Sequence, residues 1–177
     1  ISCNLKVSDL KLNLPKKKWM KKILYPWDIG EEAAKLKLKN FINSKLQEYK
    51  SGRDRPDIEF TSKLSPHLHF GEISPKRIYF EVMKSRIDDS NKKKYLSEIG
   101  WRDFSYNLLY HYPKMTHLPI QSKFNKFPWQ KSKINYSHWK NGETGIPIVD
   151  AGMKELYTIG WMHNRVRMIV GSFLTKN

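Results

Sequence analysis

The chain has 177 residues, 39% of them hydrophobic and 13% aromatic, enough to fill one sizeable core. No run approaches the roughly 18 to 20 apolar residues of a membrane span, and the single cysteine, Cys3, excludes an internal disulfide and a cysteine-rich metal site. The formal net charge of +16 points to a polyanionic partner. Of the 33 cations, however, 26 are lysines, so runs such as Lys16 to Lys18 and Lys92 to Lys94 read as solvated faces, and the seven arginines carry more weight.

Residues 1–28 mix short apolar clusters with Pro15, Pro26 and lysines and sustain no period, so they read as a linker. The N-terminus shows no apolar leader pattern, which makes the cytoplasm the expected compartment. From Glu31 to Tyr49, Ala34, Leu38, Phe41, Ile42 and Leu46 recur at helical spacing, with acids in the first turn where the helix dipole favours them. A polar loop, "SGRDRPDIEFTSKLSP", leads to "ISPKRIYFEVMKS", where Ser74 is the expected N-cap and Pro75 the first helical residue.

A longer helix over about 92–112 places Glu98, Trp101, Arg102, Ser105, Leu109 and Tyr112 along one stripe. Residues 113–145 read as loop. "IPIVDAGMKELYTI" and "WMHNRVRMIVGSFL" read as two further helices, and no segment alternates as a strand does. The expected fold class is all-α. Both ends read as cuts: the chain opens on Ile1, and an apolar helical pattern runs almost to Asn177.

Three constellations stand out. Trp161, Asn164, Arg165 and Met168 fall at i, i+3, i+4 and i+7, one face of the expected last helix, with Arg167 beside them; a plain structural helix with surface arginines has the same spacing. His163 lacks a companion nucleophile and reads as a packing residue. In "TSKLSP", the hydroxyls of Thr61, Ser62 and Ser65 precede a turn, a pattern that cradles phosphate or merely caps a helix. His67, His69 and Glu72 in "HLHFGE" match neither a zinc helix pair nor a zinc ribbon, and no metal site is expected. No dinucleotide fingerprint or phosphate-binding P-loop occurs.

Taken in order, "WDIGEEAAKLKLKNFI", "YKSGRDRPDIEFTSKLSPHLHFGEISP", "EIGWRDF", "FPWQ", "GETGIPIVDAGMKEL" and "GWMHNRVRMIVGSFL" resemble the FAD-binding helical domain of the DNA photolyase and cryptochrome family, in the manner of class I cyclobutane pyrimidine dimer photolyases. The resemblance runs from about residue 19 to the end. It implies an interdomain linker over 1–28 and a partial FAD- and DNA-binding domain over 29–177. An α/β domain holding an antenna chromophore of unspecified kind would precede Ile1, and the rest of the flavin pocket would follow Asn177.

By the same resemblance Tyr49, Thr61, Ser62, Lys63, Leu64, Ser65, Tyr95, Arg102, Trp161 and Arg167 match flavin-contacting positions. Tyr95 stands where many relatives have tryptophan, and Ile29 replaces a proline common before the first helix. Arg53 and Arg165 match arginines on the DNA backbone. Trp101 matches the ring against a flipped dimer, Arg102, Asn164 and Met168 the rest of the lesion pocket, and Glu98 the carboxylate on the thymine edge. Glu98 and Asn164 are the implied catalytic residues, and Trp129 matches the outermost tryptophan of an electron-transfer chain.

The implied reaction is light-driven cleavage of cyclobutane pyrimidine dimers in DNA, with reduced FAD as electron donor and a monomeric protein. Relatives that repair the (6-4) lesion carry histidines at the positions of Asn164 and Met168, and plant-type cryptochromes an aspartate at Asn164. The residues present therefore favour dimer repair, with a blue-light receptor lacking repair activity as the alternative.

Overall fold

The computed structural model describes residues 17–176, and all regular structure among them is helical. In chain order the elements are α1 (Lys18–Leu24), α2 (Glu31–Ser44), α3 (Tyr49–Gly52), α4 (Ser65–His69), α5 (Pro75–Lys84), α6 (Asp89–His111), α7 (Lys133–Asn141), α8 (Pro147–Ile159) and α9 (Asn164–Lys176). Short 3₁₀ turns occupy Leu46–Glu48, Pro113–Thr116 and Ser122–Lys126. The fold is all-α. No helix among the described residues is long and apolar enough to cross a membrane.

The chain divides into two compact units: Ile29–Ile134, and the described parts of Ile1–Asp28 together with Asn135–Asn177. In the first unit, Ala34, Leu38 and Phe41 of α2 lie at i, i+4 and i+7 and are buried with Ile78 and Val82 of α5 and Tyr95 of α6. Leu46, Tyr49, Leu64 and Ile73 complete this core. Glu31 and Glu32 occupy the first turn of α2, and both pair with Lys35, at 2.7 and 2.9 Å.

At the start of α5 the Ser74 hydroxyl accepts from the Arg77 N–H at 3.1 Å, with Pro75 at the first helical position, as expected from the sequence. Asp88 caps α6 in the same way through Ser90 N–H and Asn91 N–H, at 2.9 and 3.3 Å. Only the first half of α6 supplies buried residues, Lys92 and Tyr95. From Trp101 onward its rings face solvent, as do Phe124, Phe127 and Trp129 beyond it.

The second unit is built on α8 and α9, whose Val149, Met153, Val166 and Val170 are buried together with Met162. Gly152 makes this contact close: a Cβ there would stand 2.4 Å from Val166 Cγ1. The Trp139 indole N–H donates to the Val170 carbonyl at 3.1 Å, and that of Trp27 to the Ile159 carbonyl at 2.9 Å. Gly160 ends α8 in the left-handed region at φ 70°, and Ile23 of α1 lies against it.

Several boundaries differ from the sequence reading. Residues 18–24, expected as linker, are helical, while residues 1–16 of that expected linker lie outside the described residues. The first long helix ends at Ser44 and continues as a 3₁₀ turn and α3, because Lys45, at φ −127°, breaks the helical run. Within the expected loop 113–145, α7 forms, and its Trp139 anchors on α9.

Candidate functional site

In the unit Ile29–Ile134 the first part of the site gathers around Glu98, one turn before Trp101 on α6. Arg53, directly after α3, is 8% exposed, and its Nη2 lies 3.1 Å from Glu98 Oε1 while its Nη1 meets Asp54 Oδ1 at 3.0 Å. Lys94, one turn before Glu98, places Nζ 3.1 Å from the same Oε1. Two cations thus hold one carboxylate oxygen. Glu98 Oε2 receives no hydrogen bond from the described residues, so it remains open to an outside donor.

Arg53 is therefore placed differently from the phosphate-contacting arginine suggested by the sequence. It is buried under Glu98 and tied to two acids, with its Nε enclosed and unpartnered. Sequence reasoning missed Lys94 by treating it as part of a solvated lysine run; the readable signal was its i, i+4 relation to Glu98.

Trp101 is 61% exposed and meets the Phe104 ring edge-on at 5.6 Å. A tryptophan this open beside a fixed carboxylate leaves a flat apolar face uncovered by the described residues. Arg102 lies four residues beyond Glu98; its Nη2 donates to the Tyr106 hydroxyl at 3.2 Å, and its guanidinium sits 5.5 Å from the centre of that ring. Trp129 is also exposed and tilts on Phe127 at 4.6 Å.

Tyr49 and Tyr95 lie deeper than a contact surface requires. With Phe41 they form a cluster of three rings, centroids 4.6 to 5.6 Å apart. Burial pushes the Tyr49 phenol up against the opposing pull of Arg53. Burial pushes Tyr95 up as well, and its enclosed hydroxyl faces Ser62 without completing a hydrogen bond.

The segment Thr61 to Ser65 enters α4. Thr61, Ser62 and Lys63 are half-buried, Leu64 is buried and Ser65 exposed. Lys63 is the one non-glycine residue at positive φ, 51°, among the described residues, and its ammonium pairs with Glu59. The left-handed turn leaves the backbone N–H groups of Thr61 and Ser62 without an acceptor among the described residues, next to two hydroxyls. In "HLHFGE", His67 is buried and bonds Glu72 through Nδ1, while His69 is exposed; no group of three metal-ligating side chains occurs among the described residues.

The remaining site residues belong to the other unit. Here the structure corrects one sequence expectation: α9 starts at Asn164, so Trp161 precedes the helix and shares no helical face with Asn164, Arg165 and Met168. Gly160 stops α8, and Trp161 to His163 bridge to α9. His163 supplies the cap. Its Nδ1 accepts the Arg165 N–H at 3.2 Å, which puts the ring proton on Nε2. Asn164 and Met168 are exposed, Arg165 Nη1 approaches Met168 Sδ at 3.5 Å, and Arg167 Nη2 returns to the Met162 carbonyl at 3.1 Å.

Residues 95–177 match the family described as the FAD binding domain of DNA photolyase. The chain is 42% identical over 174 residues to the deoxyribodipyrimidine photo-lyase of Agrobacterium fabrum, spanning 97% of this chain and 36% of that protein. The chain belongs to the DNA photolyase and cryptochrome family. Its structure matches that of a bacterial class III photolyase from Agrobacterium tumefaciens with a TM-score of 0.89 at 42% identity, across 97% of this chain and 36% of the other. A cryptochrome, Cryptochrome-1 of Arabidopsis thaliana, is 36% identical over 159 residues, 85% of this chain and 23% of that protein. The chain spans about a third of the length of the curated photolyase relatives that it matches.

Proposed function

We propose that this chain is the flavin- and lesion-binding part, residues 29–177, of a deoxyribodipyrimidine photolyase that splits cyclobutane pyrimidine dimers in DNA. The observation that carries this reading is the fixed Glu98 beside the open Trp101 ring. Oε1 is held from two sides while Oε2 faces no donor among the described residues, so the carboxylate keeps its orientation and can still accept a hydrogen bond from a base edge. A ring one turn away supplies the stacking wall that a base extruded from a duplex requires.

The residues present fit FAD. Two backbone amides without an acceptor among the described residues and the hydroxyls of Thr61 and Ser62 would hold its phosphates, and Lys63, Leu64 and Ser65 would fix that turn. In the unit Ile29–Ile134, Arg102 and the buried Tyr49 and Tyr95 would contact or support its rings; in the other unit, Trp161 and Arg167 are assigned the same role by the family resemblance. FAD, when bound, supplies the light-driven electron. Glu98 accepts a hydrogen bond from a base N–H and so orients the dimer, Asn164 presents an amide able to donate where negative charge develops, Met168 gives an apolar contact, and Arg165 offers a charge for the DNA backbone. Arg53 acts through Glu98, as a positioning residue.

Repair assays on full-length, FAD-loaded protein with dimer-containing DNA test this. Glu98→Gln retains FAD and loses repair by about 10-fold or more, the worth of one charge-assisted hydrogen bond. Undiminished repair by Glu98→Gln contradicts the assignment. The cryptochrome relative keeps a second reading in play, a photoreceptor without repair, which predicts that light changes the protein and leaves the dimer intact.

A further inference from the structure

A concavity lies wholly within the unit Ile29–Ile134 and includes none of the residues assigned above. It is a cleft of about 550 Å³ between α2, α5 and the turn after α5. Lys35, Leu38, Lys39, Ile42 and Asn43 come from one face of α2, at i, i+3, i+4, i+7 and i+8. Arg77, Glu81 and Lys84 come from one face of α5, and Ser85, Arg86 and Ile87 close the end.

The chemistry of the walls is uneven. Leu38 and Ile73 are buried and Ile42 and Ile87 partly so, which makes an apolar floor. Around it stand five cations and one acid. Lys35 is neutralised by Glu31 and Glu32, and Arg77 by Glu81 at 2.9 Å. Lys39, Lys84 and Arg86 make no ion pair among the described residues. Three uncompensated cations over an apolar floor, in a cleft of mononucleotide size, suit a ligand with a flat apolar body and a doubly charged head.

We propose that this cleft binds a small aromatic phosphate monoester. A duplex backbone would touch the rim cations and leave the apolar floor empty. A carboxylate would leave two of the three cations unmatched. The cleft shares no residue with the flavin and lesion sets, so this inference and the proposed function stand or fall separately.

The test is calorimetric titration of full-length protein with 1-naphthyl phosphate, with inorganic phosphate and 1-naphthol as separate arms. The naphthyl ester binds more tightly than either part. Lys84→Gln/Arg86→Gln, which removes charge and keeps the shape, weakens it by about 10-fold or more. Asn43→Trp, which fills the rim and keeps the charge, does the same. Lys123→Gln/Lys126→Gln, removing two exposed cations elsewhere, leaves the affinity within about 2-fold. Circular dichroism establishes that each variant is folded. Unchanged affinity in both cleft variants overturns the proposal, as does equal binding of inorganic phosphate. Displacement of the ester by undamaged duplex DNA that disappears in Lys84→Gln/Arg86→Gln overturns it in favour of a polyanion groove.

Discussion

Gly152→Ala probes the packing that fixes α9, the helix carrying Asn164, Arg165, Arg167 and Met168. The added Cβ would lie 2.4 Å from Val166 Cγ1 and 3.2 Å from Val170 Cγ2. Carbon atoms pack at about 3.5 to 4.0 Å, so the nearer methyl must retreat by roughly 1.1 to 1.6 Å, and neither valine can retreat by flexing at its far end. Overpacking of this kind costs about 1 to 3 kcal/mol, and the gain in helix propensity returns about 1 kcal/mol. The net expectation is a loss of up to about 2 kcal/mol, which lowers the melting temperature by roughly 4 to 8 °C if the chain unfolds as one body of this size. Gly171 supplies the control: it lies inside α9 with nothing within 4 Å of its added Cβ, so Gly171→Ala gains about 0.5 to 1 kcal/mol. Thermal and urea unfolding monitored by circular dichroism measure both. In Gly152→Ala/Val166→Ala the loss caused by Gly152→Ala shrinks by at least about 1 kcal/mol relative to the Val166→Ala background. A Gly152→Ala protein that gains about 0.5 to 1 kcal/mol, as Gly171→Ala does, refutes the reasoning.

Further outcomes follow from the same geometry. Tyr95→Phe removes an enclosed hydroxyl without a completed hydrogen bond and stabilises the protein by about 1 kcal/mol in urea unfolding. Burial raises the folded-state pKa of Tyr95, so its contribution is fully present below the ordinary tyrosine pKa near 10 and is lost as pH rises beyond it; Tyr95→Phe shows a shallower alkaline loss of stability. Asp150 accepts from Thr144 N–H and Oγ1–H at 2.8 and 2.6 Å and from Gly145 N–H at 2.9 Å, and the Thr144 hydroxyl, the largest influence, holds its pKa below the usual 3.8. Asp150→Asn accordingly melts lower than the parent at pH 7, and the gap closes as acid titrates the parent through that depressed pKa.

Legibility in the sequence tracked how local each signal was. The Ser74 and Pro75 start of α5 was readable because one hydroxyl and one fixed φ decide it within four residues. Helix α8 was readable from its apolar spacing. The start of α9 was not, because its cap is the His163 ring, a residue outside the usual capping set, acting after a left-handed glycine. Helix α7 escaped because "KINYSHWKN" has no apolar stripe and its anchor, Val170, lies 31 residues away. At the site, Glu98 and Trp101 were legible as a pair one turn apart. The burial of Arg53 was not, since it depends on α3 and α6 meeting, and Lys94 was obscured by its lysine neighbours.

The most direct measurement of the central claim is the number of cyclobutane dimers left in damaged DNA after blue illumination of the full-length, reduced, FAD-loaded protein, set against an unilluminated sample. Dimers are expected to disappear in the light with catalytic turnover and to persist in the dark. Equal dimer counts in light and dark, from protein that holds FAD and binds the damaged DNA, would contradict the claim.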